Sequence, residues 1–237
     1  MPAHRVVANT RRAEADVIRA LGAAGVATVH EAQSRRGLVD PAIRPIQLDV
    51  AVAGSAVTVS SHPGDNLMLH AAVEQCQAGD VLVVTTTSHS TDGMFGDLLA
   101  SSLMARGVTT LVTGAGVRDT AELRRMGFSV WTGAISAQGT VKASPGSVNV
   151  PVVLGGQLVR PGDVVVADDD GVVVVDRRRA REIADLAQVR LASEADKRAK
   201  LTAGVLGLDM YELRGLLSEL GVVYLDEPAD ADASVQP

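Results

Sequence analysis

The chain has 237 residues, of which 46% are hydrophobic, and its formal net charge is −6. This length and composition suffice for a sizeable core, and the acidic balance argues against a nucleic-acid footprint or attraction to an anionic membrane surface. The single cysteine excludes an intrachain disulfide, and aromatic residues make up only 2%, too few for a base-stacking platform. Because no signal-peptide pattern and no long apolar segment occurs, we expect a cytoplasmic protein.

The first predicted elements are helices and strands in loose alternation. Apolar residues at helical spacing predict an amphipathic helix over residues 11–22, ended by Gly22. A turn and a short polar helix follow, and residues 47–60 indicate strands with a bulge or turn at Gly54. The next element is a helix that begins at a capping Asp65 and ends at Gly79.

A regular alternation of strand and helix follows. The strands are VLVVTTT and VTTLVTG, and the helices are GDLLASSLMARG and DTAELRRMG. This alternation predicts an α/β fold with a parallel sheet and right-handed crossovers. Two valine-rich strands then flank Asp168–Gly171, where a hairpin turn is favoured over a metal cluster.

The C-terminal third predicts helices and a polar tail. Residues 177–221 have helical patterns, whereas residues 226–237 are acidic and expected to be disordered. No linker divides the chain, so we expect residues 1–225 to form a single α/β domain that includes the C-terminal helices.

Two strand-to-helix junctions carry the candidate site. Neighbouring parallel strands end at the same edge of a sheet, where ligands of α/β folds bind, so the loops TTSHSTDGMFGDLLA and GAGVRDTAELRRMG should meet there. A glycine opens the helix of the first junction, which leaves unpaired backbone N–H groups at its positive end. Such a helix start is an anion site. Its residues are Gly96, Asp97, Leu98 and Leu99.

The second junction places Arg118 beside Asp119. An arginine binds a carboxylate through two parallel N–H bonds, and an aspartate holds a hard cation such as Mg²⁺ together with waters and ligand oxygens. Asp97 would stand across the cleft to order water or accept a proton. Ordinary alternatives exist: Asp119 and Glu122 fit a helix capping box, Arg118 a loop ion pair, and Asp97 a first-turn acid. The histidines lack the spacing of zinc ligands.

Several stretches together resemble one known family. They are similar to the class II pyruvate aldolases that cleave 4-carboxy-4-hydroxy-2-oxoadipate and 4-hydroxy-4-methyl-2-oxoglutarate, which are relatives of the regulator of RNase E activity A. The likeness extends over roughly residues 15–220, and Ser34 stands where the family would have a glycine. The motifs that carry it are GDLLA, GAGVRD, VWTGAISAQGTVKASPGSVNVPVVLGGQLVRPGDVVVADDDGVVVV and KLTAGVLGLDMY.

The resemblance implies a fold and a reaction. The fold would be a swivelling β/β/α core, like that of phosphohistidine domains, with a C-terminal helical extension. The reaction would be a retro-aldol cleavage that requires Mg²⁺ or Mn²⁺ and yields pyruvate plus oxaloacetate, or two pyruvates, in aromatic-acid catabolism. Decarboxylation of oxaloacetate would be a side activity, because it passes through the same pyruvate enolate.

The resemblance also implies roles for individual residues. Arg118 and the backbone of the Gly96–Leu99 turn would bind the pyruvyl part of the substrate, Asp119 would hold the metal, and Asp97 would help position water. Glu194 would enter from an adjacent subunit of a trimer or hexamer; otherwise it is an ordinary solvated helix carboxylate. Lys142 would assist a distal carboxylate or be a surface lysine.

Three other functions stay open at this point. A Schiff-base aldolase would need a lysine, and Lys142 is the only one outside the C-terminal helices. A phosphocarrier would use His89, whose sequence context TTTSH is reminiscent of phosphohistidine domains. A non-enzymatic binding protein, like the ribonuclease regulators, would share the same scaffold, because a fold does not settle a function.

Overall fold

A computed structural model describes residues 4–225 of the chain as a mixed α/β protein. The chain divides into two compact units, with the boundary after Leu191. The predicted acidic tail lies outside the described residues, and the single-domain interpretation stays a prediction. None of the helices within residues 4–225 combines the length and apolar character that crossing a bilayer requires.

The first unit holds the sheet and most of the helices, whereas the second holds the end of α5 and two short helices. The helices are α1 (Ala15–Ala32), α2 (Leu67–Val73), α3 (Asp97–Met104), α4 (Thr120–Met126), α5 (Ala180–Thr202), α6 (Gly207–Met210) and α7 (Leu213–Glu219). The strands are β1 (Arg44–Pro45), β2 (Val52–Ser61), β3 (Val81–Thr86), β4 (Gly93–Phe95), β5 (Thr110–Val117), β6 (Ser129–Ile135), β7 (Ser147–Val148), β8 (Val152–Leu154), β9 (Gln157–Val159), β10 (Val164–Asp168) and β11 (Gly171–Val175).

The strands of the first unit form a nearly closed, barrel-like sheet with the order β1-β6-β5-β3-β2-β10-β11. Strands β2, β3, β5 and β6 pair in parallel with one another, which confirms the predicted strand and helix alternation, whereas β2 pairs antiparallel with β10 and β6 with β1. In β3, Leu82 and Val84 belong to a core cluster that includes residues of α2 and α3, whereas Val81 and Val83 belong to a second cluster. Both faces of the strand are therefore buried, which explains its uninterrupted apolar sequence.

The valine-rich hairpin is also confirmed. Strands β10 and β11 pair antiparallel with Asp168 opposite Gly171, so the aspartates form a two-residue turn. Trp131 is fully buried beneath it and donates its indole N–H to the carbonyl of Asp168 at 2.8 Å. This hydrogen bond connects the predicted turn to the core of the first unit.

Two predictions based on a glycine, a helix end at Gly22 and a bulge or turn at Gly54, were wrong. The first helix runs past Gly22 and breaks at Gly25, where φ is +78°. Strand β2 runs through Gly54 in regular register with β10. A side chain at Gly54 would overlap the carbonyl oxygen of Gly79. Here glycine permits a close approach between backbones rather than a turn.

Three further boundaries differ from the predictions. The segment after Gly25 is helical rather than a strand end or turn, and it closes with Ser34 at φ +61°, a conformation that glycine adopts more easily. Helix α2 ends at Val73, before the expected stop at Gly79. The segment LDMYELRGLLSELG (residues 208–221), whose pattern predicts a single second C-terminal helix, is divided into α6 and α7 because Glu212 has a left-handed backbone at φ +55°.

Strand β4 lies close against β5 at Gly116. The two strands are parallel with Gly93 opposite Gly116, and a Cβ atom at Gly116 would overlap the carbonyl oxygen of Thr91. A Cβ atom at the neighbouring Gly114 would instead meet Leu154 at 3.6 Å, an ordinary contact. Only one of the two glycines in the GAG motif is therefore required by close packing.

The substitution Gly116→Ala should lower the free energy of unfolding by about 1–3 kcal/mol, because the added methyl pushes on a backbone that has little room to move. Its matched control, Gly114→Ala, should change stability by no more than about 1 kcal/mol. Urea unfolding of both variants measures the difference. Equal stabilities would contradict the close approach of β4 and β5.

Asp65 joins the start of α2 to the loop that carries Lys142. Its buried carboxylate accepts hydrogen bonds from the backbone N–H groups of Leu67 at 2.9 Å, Ala143 at 2.8 Å and Ser144 at 2.6 Å. Burial raises the pKa of Asp65, but these N–H donors outweigh it and leave the pKa below its usual value. We call this set of bonds the Asp65 clamp.

The substitution Asp65→Asn should destabilise the protein by about 1–3 kcal/mol at neutral pH, because an amide has one acceptor oxygen and leaves a buried N–H group unpaired. A carboxyl group whose pKa is lowered by folding stabilises the protein above its unfolded pKa, about 3.9. That contribution is lost as the pH falls through the folded value. The difference between the two proteins should therefore be constant from neutral pH to about 4 and shrink below it.

Denaturant unfolding at a series of pH values measures this difference. Asp185→Asn, which removes an exposed carboxylate on α5, controls for the loss of one negative charge. A difference in the free energy of unfolding that grows toward acid pH would show that the ionised carboxylate of Asp65 destabilises the fold, contrary to this prediction.

Candidate functional site

A cleft of about 130 Å³ opens where β4 meets α3 and β5 meets α4. It brings the two predicted strand-to-helix junctions together, with α2 and the loop after β6 on another side. This volume suits a small acid rather than a nucleotide, since sites for drug-sized ligands are typically larger. The lining residues are Asn66, His70, Gly93, Met94, Phe95, Gly96, Leu98, Leu99, Arg118 and Lys142.

Gly96 lines the cleft and is the N-cap of α3. A Cβ atom at this position would overlap the carboxylate oxygen of Asp119 and lie 3.1 Å from Cγ of Arg118. The missing side chain therefore lets both charged groups lie over the start of the helix. One predicted donor is already used, because the backbone N–H of Leu98 donates to Oδ1 of Asp97 at 2.8 Å.

Arg118 and Asp119 point toward each other above Gly96. The backbone N–H of Arg118 donates to the carbonyl of Phe95 at 2.9 Å, and its Nε lies 3.3 Å from Oδ2 of Asp119. The side chains of Arg118 and Asp119 are 44% and 37% exposed. An ion pair this exposed is weak, so a ligand with an anionic end and a bound cation can replace it at small cost.

The capping-box interpretation of Asp119 was wrong. Asp119 is the N-cap of α4, but its side chain makes no capping hydrogen bond, and Glu122 pairs with Arg125 instead. The backbone of Asp119 is left-handed, with φ +55° and ψ +34°. Such a conformation is strained for a residue other than glycine and recurs at functional sites. The carboxylate is thereby turned toward Arg118 rather than toward its own helix.

The donor set at Asp119 fits a magnesium-like cation better than zinc. Within residues 4–225, no three histidine, cysteine or acidic side chains come together to hold a metal ion. Mg²⁺ and Mn²⁺ do not need such a cluster, because they accept one or two carboxylates and complete their shell with water and ligand oxygens. Asp119 does not itself line the cleft, but its carboxylate lies beside Gly96, which does, and its side chain is 37% exposed, so it meets that requirement. The metal itself stays a prediction.

The other predicted site residues lie in different places. Asp97 is the first residue of α3 and is half-buried, but it does not line the cleft directly. Glu194 lies on α5 in the second unit, and its proposed role at a neighbouring subunit stays a prediction. His89 is an exposed loop residue after β3 and does not line the cleft.

The sequence analysis missed two lining residues, Asn66 at the N-cap of α2 and His70 within that helix. Asn66 and His70 are one helical turn apart, so both face the cleft, and this spacing was the signal that could have identified them. The pKa of His70 is lowered, first by burial and then by the charge of Lys142. Asn66 is 9% exposed, and its Nδ2 donates to the carbonyl of Met94 at 3.1 Å. This side of the cleft offers neutral polar groups and one lysine.

The family relationship is clear from comparisons of sequence. A family model described as RraA-like (Aldolase/RraA) matches residues 23–174. A protein of Halalkalibacterium halodurans is 27% identical over 71% of this chain and 80% of its own length. A protein of Burkholderia multivorans is 34% identical over 58% of this chain and 83% of its own. Each is named as a candidate 4-hydroxy-4-methyl-2-oxoglutarate aldolase.

Solved structures give the same relationship. Streptomyces coelicolor RraAS2, described as an unusual member of the RNase ES inhibitor RraA protein family, aligns with a TM-score of 0.72 and 31% identity, covering 80% of this chain and 99% of that one. RraA from Thermus thermophilis, described as an RNA-processing inhibitor, aligns with a TM-score of 0.53 and 27% identity, covering 58% of this chain and 84% of that one. The chain therefore belongs to the RraA-like family.

Proposed function

We propose that this protein is a divalent-metal-dependent aldolase that cleaves 4-hydroxy-2-oxo acids with two or three carboxylates and releases pyruvate. The observation that carries the proposal is the convergence of Arg118 and Asp119 over Gly96, with Nε and Oδ2 3.3 Å apart. This arrangement places an anion-binding group beside a cation-binding group. A 2-oxo acid carries both a carboxylate and a polarisable carbonyl, and so it can use both groups at once.

Substrate binding follows from the charges along the cleft. Arg118 binds the carboxylate and 2-oxo group of the pyruvyl part, assisted by backbone N–H groups at the start of α3. Lys142, held on the opposite side by the Asp65 clamp, binds a distal carboxylate of the substrate. The substrates that fit are 4-carboxy-4-hydroxy-2-oxoadipate and 4-hydroxy-4-methyl-2-oxoglutarate, intermediates of aromatic-acid catabolism.

The chemistry requires removal of a proton and stabilisation of an enolate. Asp97, acting through water, takes the proton of the C4 hydroxyl, and the C3–C4 bond breaks to leave the pyruvate enolate. Asp119 would hold Mg²⁺ or Mn²⁺, which would supply positive charge to stabilise the enolate. The guanidinium of Arg118 donates hydrogen bonds to the enolate oxygen, and such preorganised donors usually contribute most to lowering a barrier of this kind.

The same enolate forms when oxaloacetate loses CO₂. Oxaloacetate has the pyruvyl part that Arg118 recognises and lacks the C4 hydroxyl, so its decarboxylation needs no base. We therefore propose oxaloacetate decarboxylation as a side activity of the same cleft. The proposal also includes the swivelling β/β/α description of the core, by analogy with the aldolases.

Two alternatives follow from specific observations. A non-catalytic role is favoured by the descriptions of the Streptomyces and Thermus relatives as ribonuclease or RNA-processing inhibitors. A Schiff-base mechanism is favoured by Lys142, which lines the cleft. Absence of turnover would support the first, and trapping of pyruvate on Lys142 by borohydride the second. His89 is outside the cleft and gives no comparable support to a phosphocarrier.

The substitution Asp119→Asn should abolish aldol cleavage and oxaloacetate decarboxylation together, each by at least about 100-fold, because both need charge stabilisation of one enolate. Chelation by EDTA should have the same effect on the unaltered protein, and added Mg²⁺ or Mn²⁺ should reverse it. A coupled assay for pyruvate measures both reactions.

Glu122→Gln is the matched control, since Glu122 is the next acid along the chain and pairs with Arg125. It should leave both activities near those of the unaltered protein. Loss of only one activity in Asp119→Asn, or full turnover after metal removal, would contradict the proposed mechanism.

The proposed contribution of Glu194 from a neighbouring subunit predicts complementation. Arg118→Ala and Glu194→Gln should each be inactive as pure oligomers. After the two are mixed and subunits exchange, activity should return to about a quarter of the sites, because each intact site needs one subunit of each kind in adjacent positions.

Light scattering during size-exclusion chromatography gives the oligomeric state, and the pyruvate assay gives the recovered activity. The expected state is a trimer or hexamer. An active monomer, or a mixture with no recovered activity, would show that Glu194 does not complete a neighbour's site.

A further inference from the structure

Asn66 lines the cleft, and its side-chain oxygen, Oδ1, is a buried acceptor without a donor among the described residues. The residue as a whole is 9% exposed. Buried polar atoms are almost always paired, because losing water without gaining a partner costs free energy. An unpaired acceptor in a residue that lines a cleft therefore indicates a place for a water molecule or a ligand group.

The surrounding contacts hold this oxygen in one orientation. Nδ2 of Asn66 donates to the carbonyl of Met94, and the reverse orientation of the amide would set two acceptors against each other. The backbone N–H of Asn66 donates to the carbonyl of Val141 at 3.0 Å, and the carbonyl of Asn66 accepts from the backbone N–H of Leu69 at 3.1 Å. Oδ1 is thus a preorganised acceptor, fixed between α2 and the loop that carries Lys142.

The identity of the donor follows from the chemistry of the proposed substrate. The carboxylates and 2-oxo group of such a 4-hydroxy-2-oxo acid only accept hydrogen bonds, and the C4 hydroxyl has a single hydrogen that must leave during cleavage. If that hydrogen were bonded to an amide oxygen, which is a very weak base, it would be kept from its acceptor. A water molecule resolves the conflict, because it can donate to Oδ1 and still receive the proton.

We propose that Oδ1 of Asn66 holds the water through which the C4 hydroxyl proton leaves, an inference that rests on the proposed aldolase function. As the C3–C4 bond breaks, its electron pair becomes that of the enolate, and the electron pair of the hydroxyl O–H bond forms the new C4 carbonyl. The proton passes to the oxygen of this water, which releases another hydrogen to the carboxylate of Asp97. The water's remaining hydrogen stays bonded to Asn66, which is therefore a positioning residue.

Two substitutions isolate the acceptor oxygen. Asn66→Leu and Asn66→Asp both remove Nδ2 as a donor to Met94, but only Asn66→Asp keeps an acceptor oxygen at this place. For aldol cleavage, kcat should fall by about 10- to 100-fold in Asn66→Leu. Asn66→Asp should recover part of the loss in kcat, while the added negative charge appears as a higher KM for the anionic substrate. Because its second carboxylate oxygen faces the carbonyl of Met94, its melting temperature should also be lower than that of the unaltered protein.

Oxaloacetate decarboxylation distinguishes positioning from a structural role. Because oxaloacetate has no hydroxyl proton to remove, its kcat should stay within about 2-fold in both variants, as should the inhibition of Asn66→Leu by oxalate, which mimics the enolate. Melting temperatures check the fold, and Asn66→Ala replaces Asn66→Leu if the leucine variant does not fold.

Each other outcome has a definite meaning. Equal loss of both activities in Asn66→Leu, unchanged aldol cleavage, or an Asn66→Asp variant no better than Asn66→Leu overturns the role of Asn66 while leaving the aldolase function in place. Turnover of neither substrate by the unaltered protein overturns the aldolase function and, with it, this inference.

Discussion

The parallel pairing of β4 with β5 is the constraint on which the cleft depends. It sets Gly93 opposite Gly116 and lets the backbone N–H of Arg118 bond to the carbonyl of Phe95 at 2.9 Å. The start of α3 and the start of α4 are thereby brought side by side, although they are more than 20 residues apart in the chain. The pairing requires a residue without a side chain at Gly116. This glycine of the GAG motif is therefore needed for packing, and the same motif leads directly to the candidate site.

The charged pair is placed where its two members remain available to a ligand. Arg118 and Asp119 are both partly exposed, which keeps their mutual attraction weak, and Gly96 leaves room for both above the helix start. Asp119 adopts a left-handed backbone and makes no capping bond with its helix. The left-handed backbone and the missing capping bond together leave the carboxylate of Asp119 beside Arg118 rather than bonded to its own helix.

The opposite wall of the cleft is organised by a buried carboxylate rather than by a regular element. The Asp65 clamp ties α2 to residues 143–144, so Asn66, His70 and Lys142 are presented together without a strand or helix connecting them. Arg118, Asp119 and Lys142 give the cleft charged groups, while Asn66 and His70 add neutral polarity, His70 because its pKa is lowered. This polarity is the basis for the proposed hydroxy-oxo acid substrate.

The sequence by itself determined the α/β alternation, the valine hairpin and the two junctions, because these depend on local periodicity and on turn residues that act within a few positions. It also identified Arg118 and Asp119 as a pair, through the motif that they share. Only the tertiary structure decided that the pair converges on one cleft, that Asp119 is not a helix cap, and that Gly54 allows a close approach rather than a turn. The positions of Asn66 and of the Asp65 clamp at the cleft could not be predicted from the sequence. Each depends on contacts between residues that are distant in the chain, and local sequence patterns do not report such contacts.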